Sequence, residues 1–247
     1  MSKQAEQSYL RMLGEAGKQH SLRKPFSDIY CGLNLASIGS LISLMPAPPG
    51  RVLDMGCGGG WTSVFYAKYG FDVVGQDISQ DMIDLANENK RLNCREEKLS
   101  FVRADYEELD YSEVFDCVVF FDSLHHADDE FSAINSAYRA LRPGGVLITH
   151  EPGEGHSTSV HSIEAMRLYG VNERDMPPEL IINHGKAIGF ESASVYPMQQ
   201  EIYTIFYQKP APKILSKAGF RLLKRLFRLK FRQSKKSSGI VVMHKPS

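Results

Sequence analysis

The stretch from Asp54 to Gly60 reads DMGCGGG, four glycines packed behind a carboxylate. Glycines there let the chain turn tightly and let its backbone approach a ligand closely, ahead of a helix N-terminus. Such loops serve several nucleoside ligands, and two acids narrow the choice. Asp54 lies two residues before Gly56, where it would repel a pyrophosphate but suit a ligand carrying an ammonium and a sulfonium. Asp77 ends the run VVGQD, where a carboxylate can accept both hydroxyls of a ribose. The plainer alternative for both acids is a helix cap or a solvated charge.

Candidate bases cluster after two apolar runs, His125 and His126 behind FFDSL and His150 and Glu151 behind LIT. Imidazole titrates near neutrality, which suits proton removal. If the strand continues, His150 and Glu151 face opposite sides, so one of them enters a pocket. His156, in PGEGHSTS, reaches a substrate or is solvated. A metal site from His150, Glu151, His156 and His161 matches no ligand spacing, so no metal is expected.

Chemistry at these positions needs strands that deliver them. Short apolar runs at 51–55, 72–75, 99–103, 117–121 and 145–149 alternate with helical stretches at 62–68, 80–92 and 130–141. That alternation implies a parallel sheet with helices on both faces, whose ligands bind beyond the carboxyl ends of the strands. Ser79 is expected to cap its helix, RPGG at 142–145 to make a turn, and Trp61 to be core. A helix at 178–188 leads to a strand at 191–196, and a last strand covers 239–243. Residues 202–207 fit either strand or helix.

In this order and spacing, VLDMGCGGGW, VVGQDIS, FVRADYEEL, FDCVVFFDSLHH and LRPGGVLITHEPG resemble the class I S-adenosylmethionine-dependent methyltransferases of the small-molecule type. The resemblance covers roughly 50–153. It implies a Rossmann-like α/β fold, a doubly wound seven-stranded sheet of order 3-2-1-4-5-7-6 with its seventh strand antiparallel. It also implies S-adenosylmethionine as cofactor, held by the loop Asp54, Gly56, Cys57, Gly58 and Gly60, and by Asp77. Asp105 would bond the adenine amino group, with Ala104 and Tyr106 beside the ring. Ile78 and Met82 would pack the adenosine, and Asp122 and Leu124 would line the methionine end. Phe26 and Tyr30 would close over it from the N-terminal section. One histidine of the pair after strand four has a structural or cofactor-facing role in the family, so catalytic use of His125, His126 or His150 stays open.

One domain is expected over 1–247: an N-terminal helical cap (1–49), a cofactor core (50–150), a substrate side (151–200), a basic helical insertion between strands six and seven (201–238), and the last strand (239–247). The net charge is zero, yet unevenly spread. Twelve of the 29 Lys and Arg lie between Lys209 and Lys245, and none of the 29 Asp and Glu follows Glu201. On a helix over 213–232, Lys213, Lys217, Arg221, Lys224, Arg225, Arg228 and Arg232 share one arc. Leu215, Ala218, Leu222, Leu223, Leu226, Phe227 and Leu229 share the other. Such a helix lies on an anionic membrane surface or packs its apolar face on its own sheet. No signal segment, membrane span or paired cysteines are seen, so the expectation is a cytoplasmic protein, with the basic segment at the inner face of a membrane.

The expected activity is methyl transfer to a small or lipid-linked, amphipathic acceptor, at oxygen. Its rivals are a nucleic-acid methyltransferase using the basic segment and a non-catalytic cofactor-binding adaptor. FFDS stands where nucleic-acid enzymes carry an NPPY-type motif, and Asp54 disfavours a nicotinamide oxidoreductase.

Overall fold

The computed structural model describes residues 2–95, 97–207, 216–231 and 238–247. Two helices come first, α1 (Ser2–Leu22, kinked at Gly14) and α2 (Cys31–Leu44). The alternating section follows as β1 (Arg51–Met55), α3 (Trp61–Tyr69), β2 (Asp72–Asp77), α4 (Gln80–Asn93) and β3 (Leu99–Arg103). It continues as β4 (Phe115–Phe121), α5 (Glu130–Ala140) and β5 (Leu141–Glu151). After β5 come α6 (Val160–Tyr169), α7 (Pro178–Ile188), β6 (Ser192–Tyr196), α8 (Gln199–Phe206), α9 (Lys217–Phe231) and β7 (Gly239–His244).

The strands form one sheet in the order β3-β2-β1-β4-β5-β7-β6, with β7 antiparallel to both neighbours. That is the expected order. Central strands are buried along almost their whole length because helices cover both faces, whereas edge strand β6 alternates exposed and half-buried residues. One core holds Leu53, Phe120, Ile134, Ile181 and Met243, on the side of α5 and α7. The other holds Leu41, Val52, Tyr66, Val119 and Ile240, on the side of α2 and α3.

Several local readings change. RPGG is not a turn ahead of β5 but part of it, absorbed by Gly144 at φ 74° and a register shift opposite Phe115 and Cys117. Ser79 precedes α4 without a side-chain cap bond, because its hydroxyl donates instead to the Gln7 carbonyl of α1 at 3.0 Å. Asp129 caps α5 by accepting from the Phe131 and Ser132 amides. Residues 202–207 are helical up to Phe206, and α6 arises where no motif pointed. Of the basic stretch, 216–231 is described, while 213–215 and Arg232 lie outside the described residues. Among the described residues, no helix is long and apolar enough to cross a membrane.

Gly60 shows how tightly the loop is set between α3 and α4. Its φ is +73°, and a Cβ there would stand 2.7 Å from the Phe101 ring and 2.9 Å from Ala86. Gly60→Ala should therefore lose about 2–4 kcal/mol, from left-handed strain plus overpacking. Urea unfolding at constant slope checks this; a loss below about 0.5 kcal/mol would mean the loop relaxes freely.

Candidate active site

The loop between β1 and α3 is built almost entirely from backbone bonds to the end of β2. The Gly56 and Cys57 amides donate to the Gln76 carbonyl at 2.9 and 2.8 Å, and the Gly58 amide donates to Asp77 Oδ2 at 2.9 Å. Asn89 of α4 steadies the far side by donating to the Gly59 carbonyl at 2.9 Å. Gly56 must be glycine: φ is +72°, and a Cβ would meet that of Ser123 at 2.6 Å.

Asp54 does not face the cavity that this loop borders. It is 1% exposed, and its Oδ2 accepts from Thr62 Oγ1 and Ser63 Oγ, each at 2.6 Å. Burial raises its pKa to about 6, against the two hydroxyls that favour the charge. Its place is that of a clasp between strand and helix, not of a counter-ion for a ligand.

Asp77 does face the cavity. Oδ1 accepts from the Ser79 amide at 2.9 Å while Oδ2 takes Gly58, leaving a lone pair on each oxygen for a ligand. Burial lifts its pKa to about 6, with the Ser79 and Gly58 amides and His126 pulling down and Glu6 pushing up.

The cavity has a volume of about 400 Å³, and Gly56, Cys57, Gly58, Ile78, Met82, Asp105, Tyr106 and Asp122 line it. Five further residues named from sequence lie outside its wall for plain reasons. Gly60 and Leu124 are buried in packing, and the Ala104 carbonyl is taken by the Gln76 side-chain amide. Phe26, 73% exposed, borders a neighbouring cleft, and Tyr30 is 57% exposed, so neither closes over the cavity. Trp61, expected in the core, packs against it and also lines the wall, meeting Phe121 edge-on at 5.3 Å.

The roof comes from the expected N-terminal cap, but through residues that the sequence did not single out. It is α1, which contributes Lys3, Glu6, Tyr9 and Leu13. Lys3 spans Asp105 at 2.6 Å and Glu107 at 2.8 Å. Burial opposes its charge, but the two carboxylates raise its pKa overall. Polar helix sequence without a motif does not say which residues of the cap reach the cavity; the Ser79 and Glu6 contacts become visible only in three dimensions.

The three histidines separate. His125 is 5% exposed, with Nδ1 2.7 Å from Glu151 Oε2; Glu151 Oε1 accepts the Ser123 and Leu124 amides at 3.0 and 2.8 Å. His150, 4% exposed, donates from Nδ1 to Asp122 at 3.1 Å, meets Ser37 through Nε2, and stacks on Phe121. Burial disfavours its charge, yet Asp122 raises its pKa, and the same pairing lowers that of Asp122 against burial. Neither ring lines the cavity. His126 does.

His126 Nδ1 donates to the Asn172 carbonyl at 2.6 Å and lies 3.3 Å from Glu6 Oε1. Burial works against the imidazolium but Glu6 prevails, raising the pKa to about 9. Behind it, His156 Nε2 holds Glu173 at 2.6 Å. Ring nitrogens of His125 and His126 and a Glu173 oxygen come within 4.8 Å of one another, a grouping different from the one weighed from sequence.

A methyltransferase-domain family model matches residues 53–149, the segment that carries this loop, Asp77, Asp105 and both strand ends. The chain thus carries a class I S-adenosylmethionine-dependent methyltransferase domain over residues 53–149. The chain is 29% identical over 154 residues to an uncharacterized methyltransferase of Schizosaccharomyces pombe, covering 58% of this chain and 54% of that one. It is 36% identical over 110 residues to the 27-O-demethylrifamycin SV methyltransferase of Amycolatopsis mediterranei, covering 43% of this chain and 40% of the relative. It is 36% identical over 99 residues to a ubiquinone biosynthesis O-methyltransferase of Aliivibrio fischeri, covering 38% and 41%. The chain thus spans roughly half or less of the length of these curated relatives. Its fold matches Haemonchus contortus phosphoethanolamine N-methyltransferase 2, solved with S-adenosylmethionine, at TM-score 0.67 and 21% identity, over 98% of this chain and 60% of that one. It also matches the [4+2]-cyclase SpnF at TM-score 0.65 and 18% identity, over 100% and 97%.

The Glu6–His126 pair makes a direct prediction. A folded pKa raised from 6.5 to about 9 stabilises the fold fully below pH 6.5, and that contribution is lost as pH climbs through about 9. Glu6→Gln should lower the His126 midpoint by about 1–2 pH units, read from its ring-proton NMR shifts. An unmoved midpoint would show that Glu6 does not hold the charge.

Proposed function

We propose that this chain transfers a methyl group from S-adenosylmethionine to an oxygen of a small, amphipathic acceptor. The observation that carries the reading is one cavity wall bearing both a nucleoside receptor and, in the turn after β4, the imidazole of His126; the other imidazole on the wall, His20, belongs to α1. On the receptor side, Asp77 offers a free lone pair on each oxygen to a ribose. Ile78 and Met82 offer apolar surface to adenosine, and Asp105 offers a carboxylate to the adenine amino group once Lys3 gives way. Gly56, where no side chain fits, and Asp122, turned inward at φ 47°, suit the amino-acid end.

When bound, S-adenosylmethionine supplies a methyl group already activated on a sulfonium, so the protein's work is alignment and proton removal. His126 is the base. Its Nδ1 is committed to Asn172, which leaves Nε2 to take the proton of an acceptor hydroxyl. The O-methyltransferase relatives named above support oxygen as the acceptor atom. His125 and His150 position their neighbours: Glu151 with His125 shapes the turn after β4, and His150 orients Asp122.

Calorimetry with S-adenosylhomocysteine tests the cofactor. Micromolar binding is expected, weakened on the order of 100-fold by Asp77→Ala, since two hydrogen bonds to a charged group are lost. Affinity should fall below pH 6 as Asp77 gains a proton, because the ribose hydroxyls need an ionised acceptor. No binding by folded protein, or equal binding of NADH, would sink the reading.

The acceptor atom is tested by screening phenols, amines and carboxylic acids for S-adenosylhomocysteine release. With a hydroxyl acceptor, kcat/KM should rise with pH toward about 9, where His126 becomes neutral, and Glu6→Gln should move that limb to lower pH. Turnover confined to amines would refute oxygen.

A further inference from the structure

We propose that α9, with the exposed rings of α8, docks the protein on a membrane surface of anionic lipid. The described side chains of α9 fall into three stripes. Gly219, Leu222 and Leu226 are buried or half-buried. Phe220, Leu223 and Phe227 are 72, 50 and 64% exposed. Lys217, Arg221 and Lys224 are exposed as well. At 3.6 residues per turn these stripes follow one another at intervals of roughly 100° around the helix. The apolar side of the helix is therefore divided into two stripes, one buried or half-buried and one exposed beside the charges.

That division decides between the two roles the sequence left open. A helix that only packed on its own sheet would bury Phe220 and Leu223 with the leucines. A stripe of Phe and Leu flanked by Lys and Arg is instead what seats a helix at the boundary of headgroups and acyl chains. Neighbouring α8 adds Tyr203, Phe206 and Tyr207, 40, 57 and 74% exposed, of the ring type that favours this boundary. The partner must be anionic because the chain carries no acid after Glu201 against twelve bases beyond it. A nucleic acid would satisfy the charges but leave the apolar stripe without a role.

The surface also stands near the cavity. The β6–β7 connection leaves from the carboxyl edge of the sheet, and α8 packs on α2, with Gln199 bonded to Ser40. α2 in turn provides Asn34 to the cavity wall. Delivery of an amphipathic acceptor by this route depends on the methyl-transfer reading; the lipid contact does not.

The test is co-sedimentation of the full chain with vesicles of phosphatidylcholine alone or mixed with phosphatidylglycerol. Binding is expected to the mixed vesicles only, weakening with salt. Lys217→Glu, Arg221→Glu and Lys224→Glu together should reduce it on the order of 100-fold or more, and Phe220→Ser with Leu223→Ser should reduce it at every salt concentration. Unfolding midpoints unchanged from wild type show that the variants fold. Absence of wild-type protein from the mixed-vesicle pellet overturns the proposal, as does a triple-Glu variant that pellets like wild type. Capture on a 20-nucleotide RNA without capture on vesicles overturns it in favour of nucleic acid.

Discussion

A buried carboxylate must be answered by donors, and at the end of β1 the donors are the two hydroxyls that open α3. Asp54, Thr62 and Ser63 close a short circuit of hydrogen bonds beneath the glycine loop. The circuit fixes where α3 starts relative to β1, and hence the arc that residues 56–60 must span. With the arc fixed, the Gly58 amide reaches Asp77, the Cys57 amide reaches Gln76, and Gly56 comes so close to Ser123 that no side chain fits. A second buried acid, Glu151, does the same for the turn after β4 by collecting two amides and His125. The cavity is what remains between these two fixed turns.

How much of this was readable from sequence depended on whether a signal was local. The strand order and the glycine loop were legible because they follow from alternating patterns and from a residue type with its own backbone freedom. Asp77 was legible because a strand-end acid at that spacing has few other uses. Asp54 was found, but its partners were not, since Thr62 and Ser63 look like ordinary helix residues until the turn closes. An N-terminal cap was expected, but the contacts of its α1 roof were invisible for a different reason. Lys3 and Glu6 act on residues about a hundred or more positions away, and no periodicity encodes that. The histidines show the same limit: three were equivalent in sequence, and only burial and partners set His126 apart.

The fold alone leaves the chemistry open. A [4+2]-cyclase and a phosphoethanolamine N-methyltransferase both share this architecture at similar structural likeness. What separates such proteins is which side chains meet at the strand ends. Here that set combines an acid exposing both oxygens to a ligand with one imidazole whose charge is governed by a residue of the roof.

That roof has a kinetic consequence. α1 is tied to the body by Lys3 at Asp105 and Glu107, by Glu6 at Asn172, by Gln7 at Ser79, and by Arg11 at Asp81. A nucleoside leaving past this helix would have to break some of these contacts. Its residence time is thereby coupled to the breaking of polar contacts, several of them ion pairs that dissolved salt screens. Ionic strength thus becomes a throttle on ligand exchange, acting at a distance from the atoms that react.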